Sequence, residues 1–492
     1  MTPTINDLYI KEGSYTKAQI MKRLGLRGAV GDKMFQQLRT KGIIKLVKQE
    51  ASEADFNEVA TEIDDGLEEI SGGGASYFFS FVGIILISGK VLKCYPKYIT
   101  RDKPLTELKQ VLKVIQRYNY KNQNCQLYND ELESKQNEPL NIMLTLLNDY
   151  YENGLYENDK DIIENNGNGE IHWDKTINDS FTLLSNNRPY YLEFKTKKRI
   201  YDETSYIKRL HAAILTQCSE ELTRTEIMEL FELLPVEISD ELVEDFGDTD
   251  YILYRLEQEQ AIQFNTRKNQ LLKLMHAYIS NRKGDISETD FEMFGTTSYE
   301  LVWEDVCAHV LNNQLDQPMY KLPIIHNKGN KHLIDLIEKP KWVGLDALGN
   351  FEKPLRTKAT LIPDMITIYK KEGQTSFQIF DAKYYLISLG CGKLAGNPGI
   401  ESVTKQYLYE LAYKKFLMEN QIKIVKNCFV FPMEDDSIMV RNIGFVDMDM
   451  FAYLGLAKIQ LLKMSASRLY DYYLHNKRID LSKLPIYEDE II

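Results

Sequence analysis

The spacing of hydrophobic and polar positions predicts a chain that mixes helices with strands. Apolar residues at helical spacing, or a high density of Leu, Met and Tyr, predict helices at 105–118, 140–151, 260–281, 401–417 and 447–474. Runs rich in Ile, Val, Phe and Tyr predict strands at 424–432 and within 78–99, where Ser88 and Gly89 form a hairpin turn. The fold class is therefore α/β, or α+β over the whole chain.

The stretch 361–385 also has the pattern of a β-hairpin. Two apolar runs rich in Ile, Phe, Tyr and Thr flank a polar turn that contains a Gly. If Tyr369 pairs with Ser376 across that turn, the antiparallel register places Asp364 opposite Asp381. Opposed residues share one face of the ladder, with Cβ atoms roughly 5 Å apart. The register therefore predicts that these two carboxylates meet.

A lysine joins the predicted carboxylate pair. Lys383 lies two residues after Asp381, so it projects from the same face of the strand. Two adjacent carboxylates repel unless positive charge lies between them, and Mg²⁺ suits such a gap because it prefers oxygen ligands and retains waters. Lys383 then orients or activates a metal-bound water, and the metal steadies charge on a phosphate. The alternative is a surface hairpin that carries solvated charges.

Composition and cysteine usage indicate a globular protein of the cytoplasm. The 492 residues predict about two to four domains, and 43% hydrophobic with 27% charged residues is ordinary for such chains. Six scattered cysteines without a CxxC pair are expected to be reduced. The longest apolar run, 78–87, is too short to span a membrane, and the N-terminus lacks the features of a signal peptide. We therefore expect a cytoplasmic localisation with no membrane association.

Charge is distributed unevenly along the chain. The formal net charge is −12, yet residues 1–48 carry ten Lys or Arg and three acidic residues, a net of +7. Residues 49–70 follow with nine acidic residues and no basic one. Phosphate binding depends on Lys and Arg, so the basic end is the part suited to nucleic acid. Because the rest of the chain is acidic, we expect a partner protein to supply part of the DNA-binding surface.

The basic N-terminal segment has the pattern of a helix-turn-helix. Thr16 caps a first helix that ends near residue 24, and Gly25 and Gly28 mark a turn. A second helix is predicted over 30–40 and a strand or wing over 43–47. Winged-helix modules place their second helix in a DNA groove. The alternative is a basic helical hairpin that serves only packing or protein contact.

The hairpin residues resemble the PD-(D/E)xK nuclease signature. Pro363 and Asp364 supply its first part, and Asp381, Ala382 and Lys383 supply its second. The resemblance implies a Mg²⁺-dependent nuclease core.

A second resemblance extends over most of the chain. The phrase VGII at 82–85, then Gly89, then YPK at 95–97, is similar to the N-terminal region of McrC-type proteins, the nuclease subunits of GTP-driven restriction systems. The segment 169–174 (GEIHWD) falls where that group has a turn and a strand. Within the group the chain resembles LlaJI-family restriction endonucleases, over roughly 77–443.

These resemblances imply further site residues. Such nucleases often add a Glu from a preceding helix, and Glu300 is preferred because it follows the aromatic Tyr299, with Glu304 as the substitute. Gln406 and Tyr409 match a Gln and a Tyr on the helix after the catalytic strand. The predicted catalytic set is Asp364, Asp381, Lys383, Glu300, Gln406 and Tyr409, with Mg²⁺ held by Asp364, Asp381 and Glu300.

The predicted order of parts follows from these features. It comprises a possible winged helix with an acidic connector at 1–70, a β-rich partner-docking module at 71–160, a mainly helical region at 161–295, the PD-(D/E)xK core at 296–445, and a C-terminal helix and tail at 446–492.

The expected function is that of an endonuclease subunit in a restriction-modification system. Its substrate is expected to be double-stranded DNA, and its expected partner is a McrB-like AAA+ GTPase. The Gly-rich loop at 390–399 is not a P-loop, because Lys393 precedes Leu rather than Ser or Thr. The chain itself is therefore not expected to hydrolyse nucleotide. The alternatives are a catalytically silent DNA-binding or scaffold subunit and a RecB-like repair nuclease acting alone.

Overall fold

The fold consists of two compact units, the first within 1–122 and 294–492 and the second within 123–293. The computed structural model describes residues 8–47, 76–87, 90–127, 139–157, 159–186, 188–201, 205–225, 227–282, 291–326, 329–357, 360–390 and 392–487. The first unit unites the predicted nuclease core with residues 1–122, so the predicted module 71–160 is divided between the two units. The five-part division stays a prediction.

Strands and helices alternate irregularly along the described chain. The strands are β1 (Leu8–Lys11), β2 (Gly13–Thr16), β3 (Ile44–Leu46), β4 (Ser76–Phe79), β5 (Val82–Ile87), β6 (Lys90–Tyr95), β7 (Asp159–Asn165), β8 (Glu170–Ile171), β9 (Thr182–Ser185), β10 (Arg188–Tyr191), β11 (Lys195–Tyr201), β12 (Phe291–Thr296), β13 (Lys341–Trp342), β14 (Leu355–Arg356), β15 (Met365–Lys371), β16 (Gln374–Ala382), β17 (Ser388–Gly390), β18 (Lys393–Ala395), β19 (Ile424–Met433), β20 (Val440–Val446) and β21 (Ile459–Ser465). The α-helices are α1 (Lys17–Arg23), α2 (Gly28–Thr40), α3 (Leu105–Leu127), α4 (Pro139–Asn153), α5 (Trp173–Asp179), α6 (Tyr206–Arg224), α7 (Ile227–Leu230), α8 (Thr249–Ile262), α9 (Thr266–Asn281), α10 (Tyr299–Val310), α11 (Ile400–Glu419), α12 (Asp449–Ala452) and α13 (Ala466–Leu474).

A five-stranded mixed sheet forms the centre of the C-terminal half, in the order β15-β16-β19-β21-β20. The β16–β19 and β19–β21 pairs are parallel, whereas β15 and β20 pair antiparallel at the two edges. The inner strands are buried almost throughout, as expected when a sheet is covered on both faces. Helices α10 and α11 both pack on β16. This sheet therefore provides a rigid platform at the end of β16.

The hairpin β15–β16 has the predicted register. Tyr369 pairs with Ser376, and the ladder extends from Lys371 opposite Gln374 at the turn to Met365 opposite Phe380. Glu372 and Gly373 alone form the turn, and both have positive φ, 51° and 86°. Two such residues define the tight turn that matches the twist of an antiparallel pair. The turn therefore fixes the register on which the site depends.

The apolar hairpin β5–β6 is a core element of the first unit. It lies in a four-stranded sheet of order β1-β6-β5-β12, with β1 parallel to β6. Gly83 approaches β12 so closely that a Cβ there would lie 2.1 Å from the carbonyl oxygen of Phe294. Most of the hairpin side chains are buried. The hairpin is therefore part of the core, so its apolar character is no evidence for the partner docking predicted within 71–160, which stays a prediction.

The basic N-terminal segment contains the two predicted helices. Thr16 and Gln19 form a capping box at the start of α1, and Phe35 and Leu38 of α2 are fully buried. Strands β2, β4 and β3 form an antiparallel sheet beside them. The acidic stretch 49–70 lies outside the described residues.

The second unit is less helical than predicted. Residues 159–201 contain five strands, and β11 carries the basic cluster that precedes Tyr201. The prediction of a mainly helical region is wrong there, because these strands lack the regular apolar and polar alternation that identifies half-buried strands. The single helix predicted over 260–281 is also wrong at its start. Two helices, α8 and α9, meet near residue 263, and Asn265 caps the second.

The long helix predicted over 447–474 is wrong. The chain forms the short helix α12, the strand β21 and then α13. Gly455 adopts a positive φ of 60° after α12 and separates it from the strand. β21 is buried on both faces, and a continuous apolar run of this kind does not distinguish a buried strand from a helix. Within the described residues, no helix is long and apolar enough to cross a membrane.

Candidate active site

Two aspartates meet at the open end of the β15–β16 hairpin. The Ala382 amide donates a hydrogen bond to Asp364 Oδ2 at 2.9 Å, which ties the residue before β15 to the end of β16. Asp381 is 5% exposed, and Asp364 is half-buried. The confirmed register explains this meeting, because Asp364 and Asp381 occupy the next opposed positions beyond Met365 and Phe380.

The pairing perturbs the protonation of Asp364. Burial raises its pKa well above the usual range of an aspartate, and the neighbouring Asp381 carboxylate raises it further. The Lys383 ammonium opposes both effects. A site that resists ionisation of both carboxylates is a site that favours a bound cation. Perturbed carboxylates of this kind occur preferentially at functional sites.

Lys383 directs its ammonium at the same place. Its Nζ lies 3.0 Å from Asp381 Oδ2 and 5.9 Å from the centre of the Phe429 ring. Its backbone amide donates to the Val430 carbonyl at 2.8 Å, which fixes the main chain immediately after β16. The structure therefore brings together the three charged residues of the predicted signature.

The two candidate glutamates on α10 occupy different environments. Glu304 is half-buried, and its pKa is raised by burial first and then by Asp381, with Lys383 opposing. Glu300 lies one turn earlier and is exposed. Glu300 influences the buried Glu12 electrostatically. The geometry thus favours the substitute, Glu304, as the third carboxylate at the aspartate pair.

Tyr409 and Gln406 of α11 are both buried. Burial raises the pKa of Tyr409, and the carboxylates of Asp381, Asp364 and Glu304 raise it further, so its hydroxyl lies near the acidic site. The Gln406 side chain donates from Nε2 to the Cys428 carbonyl at 3.4 Å. Gln406 Oε1 is buried and has no hydrogen-bond partner among the described atoms. The carboxylates therefore act on Tyr409 electrostatically, whereas Gln406 makes a direct contact with β19.

The donor set is compatible with Mg²⁺. Among the described residues, no group of three or more His, Cys, Asp or Glu side chains is already arranged to hold a metal ion. Mg²⁺ does not need such a cage, because it commonly binds through one or two carboxylates and keeps several waters. Asp364 and Asp381 supply hard oxygen donors, and burial, followed by the like charge of Asp381, raises the pKa of Asp364, an effect that a cation offsets. The residues present therefore fit this metal.

Three further residues adjoin the site and were not predicted. Tyr384, directly after Lys383, donates a hydrogen bond to Glu12 Oε2 at 2.6 Å, and Lys97 contacts both residues. The only sequence signal was the Tyr-Pro-Lys phrase that contains Lys97. Nothing in the sequence joins Glu12 to Tyr384, because they are 372 positions apart.

Comparison with known proteins defines the class as that of restriction endonucleases. The model of the LlaJI restriction endonuclease family matches residues 81–467. That match covers most of the chain, so this protein belongs to the LlaJI restriction endonuclease family. Membership of a restriction endonuclease family implies that the chain is a nuclease.

A curated relative agrees with this membership. The chain is 27% identical over 420 residues to the type II restriction enzyme BsuMI component YdjA of Bacillus subtilis (strain 168). The alignment covers 84% of this chain and 84% of the relative. The two proteins are therefore similar over most of both lengths.

Two solved structures of Thermococcus gammatolerans proteins show a weaker likeness. One is a refined half-complex from a tetradecameric assembly of McrB AAA+ hexamers with bound McrC, with a TM-score of 0.37, 13% identity, and coverage of 96% of this chain and 99% of that one. The other is a McrBC complex, with a TM-score of 0.22, 13% identity, and coverage of 60% and 84%. These scores are too low to support a structural argument.

Proposed function

We propose that this chain is the Mg²⁺-dependent endonuclease subunit of a restriction-modification system and cleaves phosphodiester bonds of double-stranded DNA. One observation carries the proposal: Asp364, Asp381 and Lys383 converge at the end of β16 in a member of a restriction endonuclease family. The mixed sheet and its two flanking helices support a PD-(D/E)xK core.

Each residue of the cluster has a role in this proposal. Asp364 and Asp381 hold the metal, and their shared hairpin sets the distance between them. Mg²⁺, when bound, supplies Lewis acidity at the phosphate and acidifies bound water. The Lys383 ammonium stabilises negative charge on the phosphate and orients the attacking water. Tyr409, a buried residue of α11 whose pKa is raised by burial and then by these carboxylates, is the proposed supporting residue of the cluster.

Binding of Mg²⁺ is expected to raise the melting temperature of the wild type but not of Asp364→Asn. A ligand that binds only the native state stabilises it by about 2.7 kcal/mol at one hundred times its Kd. Without metal, Asp364→Asn should be more stable than wild type by about 0.5–2 kcal/mol, since it removes one of two repelling carboxylates. Thermal unfolding in EDTA and in Mg²⁺ measures both effects.

The matched control for that experiment is Asp316→Asn, at an exposed aspartate of the same unit. Its response to Mg²⁺ should equal that of the wild type. An Asp364→Asn protein that gains as much stability from Mg²⁺ as the wild type would show that Asp364 does not bind the metal.

We also propose that Glu304, rather than Glu300, completes the acidic cluster. Glu304→Gln is expected to reduce cleavage about 10–100-fold, the usual cost of losing a supporting group at a metal site. Glu300→Gln should leave cleavage near the wild-type rate, because its side chain is exposed one helical turn away. Single-turnover cleavage of one plasmid substrate by both variants decides between them. A larger loss in Glu300→Gln would restore the original assignment.

The proposal also includes a DNA-binding module and a protein partner. Helices α1 and α2 with the sheet β2-β4-β3 support a winged-helix module in the basic segment, with DNA as its ligand. We propose a McrB-like AAA+ GTPase as the motor, on the basis of the Val-Gly and Pro-Lys phrases that resemble McrC-type proteins. A neighbouring gene for an AAA+ protein with Walker motifs would support this partner.

A catalytically silent scaffold is the second candidate function. The intact cluster of Asp364, Asp381 and Lys383 disfavours it. Metal binding by Asp364 and loss of cleavage in Asp381→Asn distinguish the two functions. A RecB-like nuclease acting alone would cleave at full rate without any AAA+ protein, so a reconstituted reaction with and without the partner separates that alternative.

A further inference from the structure

Two buried charges lie next to each other in the N-terminal sheet. Glu12 follows β1 and is 7% exposed, and Lys97 follows β6 and is 9% exposed. The Lys97 backbone amide donates to Glu12 Oε2 at 3.3 Å, and the charge of Lys97 opposes the rise in the pKa of Glu12 that burial causes. The Glu12 carboxyl group is thus bound by the Lys97 main chain and faces the positive charge of Lys97 within the protein.

Tyr384 lies two residues after β16 of the five-stranded sheet, and it contacts both Glu12 and Lys97. Its hydroxyl donates to Glu12 Oε2 at 2.6 Å and accepts from the Lys97 amide at 3.2 Å. The Lys97 ammonium lies 4.5 Å from the centre of the Tyr384 ring, within the range of a cation–π contact. Three separate interactions therefore hold one aromatic side chain that is 3% exposed.

Burying two oppositely charged side chains is a costly way to stabilise a core. Removing two charges from water often costs more than their attraction returns, so well-packed apolar residues of similar volume are commonly as stable or more stable. The benefit of a charged cluster is instead a defined geometry, because each hydrogen bond fixes a direction. The cluster of Glu12, Lys97 and Tyr384 is therefore better suited to positioning than to stability.

The residue that this cluster positions is adjacent in sequence. β16 ends at Ala382, so Lys383 is the first residue beyond the strand. The Lys383 amide is tied to Val430 on one side, and the next side chain, Tyr384, is tied to Glu12 on the other. The backbone that directs the Lys383 ammonium at Asp381 is consequently held from both sides.

The same cluster contacts the helix that carries Glu304. The ring of Tyr299, in the first turn of α10, lies 5.3 Å from the ring of Tyr384. The Tyr299 hydroxyl shares a 2.7 Å hydrogen bond with Tyr470, and Tyr98, next to Lys97, donates to Tyr470 at 2.9 Å. Both elements that supply the site, the end of β16 and α10, therefore rest on side chains around Lys97.

We infer that Glu12, Lys97 and Tyr384 form a clamp by which the N-terminal strands position Lys383 for catalysis. The inference rests on the proposed nuclease function. It assigns positioning roles to residues outside the nuclease sheet, and it explains why the first compact unit joins the N-terminal strands to the C-terminal core. These contacts also give a structural role to Lys97, the last residue of the Tyr-Pro-Lys sequence at 95–97.

The decisive variant is the double replacement Glu12→Leu/Lys97→Met, which removes both charges together. It avoids the unpaired buried charge that either single replacement would leave. We expect a protein at least as thermally stable as the wild type whose kcat for cleavage is about 10–100-fold lower, as for supporting residues around other sites. KM for DNA should not change, since these residues are buried. Tyr384→Phe, which keeps the ring, should lower kcat in the same direction.

The matched control is Lys93→Met. Lys93 is also 9% exposed, lies on β6, and places its ammonium 5.2 Å from a tyrosine ring, that of Tyr9. It matches Lys97 in burial and in type of contact and belongs to the strand that Lys97 follows, but its ring contact is with Tyr9 rather than with Tyr384. Its kcat should equal that of the wild type, so a general loss on replacing any buried lysine of this sheet would contradict the clamp.

Hydrogen exchange separates the clamp from the nuclease function. In the double variant and in Tyr384→Phe, amides of 383–387 should exchange faster, while those of β19 and β21 keep their protection. Faster exchange combined with a wild-type kcat would overturn the clamp. If the double variant does not fold, unchanged exchange in Tyr384→Phe would also overturn it. If the wild type cuts no DNA, faster exchange still supports the clamp's structural part, and the failure belongs to the proposed function.

Discussion

Replacing Asp381 with asparagine is expected to abolish Mg²⁺-dependent cleavage of double-stranded DNA while leaving the protein folded. Asp381 is the buried member of the carboxylate pair and the partner of the Lys383 ammonium at 3.0 Å. Asparagine keeps the shape but removes the charge to which we assign metal binding, and it also removes the anionic partner of Lys383. Cleavage should fall to the rate measured in EDTA.

The fold should tolerate this change. Asp381→Asn removes one of two repelling carboxylates, and that gain offsets the lost contact with Lys383. Far-ultraviolet circular dichroism and thermal unfolding should therefore match the wild type closely. Asp316→Asn is again the control, with full activity expected. Undiminished cutting by Asp381→Asn would refute the assigned site, because no other arrangement of the hairpin replaces this carboxylate.

Local rules were sufficient to predict the centre of the site. The polar turn with its Gly, flanked by β-branched and aromatic residues, predicted the hairpin, and the assumed pairing of Tyr369 with Ser376, which the structure has, brings Asp364 to Asp381. Strand periodicity then placed Lys383 on the same face. All of this information lies within 25 consecutive positions, 361–385. Short-range patterns were reliable here because turn chemistry and strand pairing are themselves local.

The choice between Glu300 and Glu304 required tertiary information. Both lie on α10, four residues apart, so each has the correct period to face neighbouring surfaces. The sequence preference for Glu300 came from the aromatic residue before it. In the structure that residue, Tyr299, turns into the core against Tyr384 and Tyr470. Helix rotation is set by such packing, which a single sequence does not reveal.

The strands that were predicted as helix were missed for a different reason. β21 is a continuous apolar run covered on both faces, and its composition suits a helix equally well. The strands of 159–201 do not alternate regularly between apolar and polar residues, so they carry almost no periodic signal. The clamp residue Glu12 is a third kind of case. Its partner Tyr384 lies 372 positions away, and only the folded chain brings them together.

The second large effect is expected at Lys383. Lys383→Met should lower kcat about 10²–10³-fold, the usual cost of losing one preorganised group that stabilises transition-state charge. Methionine retains most of the length of the side chain and its packing beside Phe429, so binding of DNA and the fold should persist. Single-turnover cleavage with DNA affinity measured in parallel separates the two effects. Lys371→Met, at the exposed far end of the same hairpin, is the control.

Lys383→Arg tests what the lysine contributes. If the contribution is positive charge at the phosphate, the arginine variant keeps part of the activity that methionine loses. Its planar guanidinium is larger than an ammonium and does not reproduce the 3.0 Å contact with Asp381 in the same space, so full activity is not expected. Equal and complete activity in the methionine and wild-type proteins would show that the ammonium is dispensable. In that case the two aspartates would have to support cleavage without it.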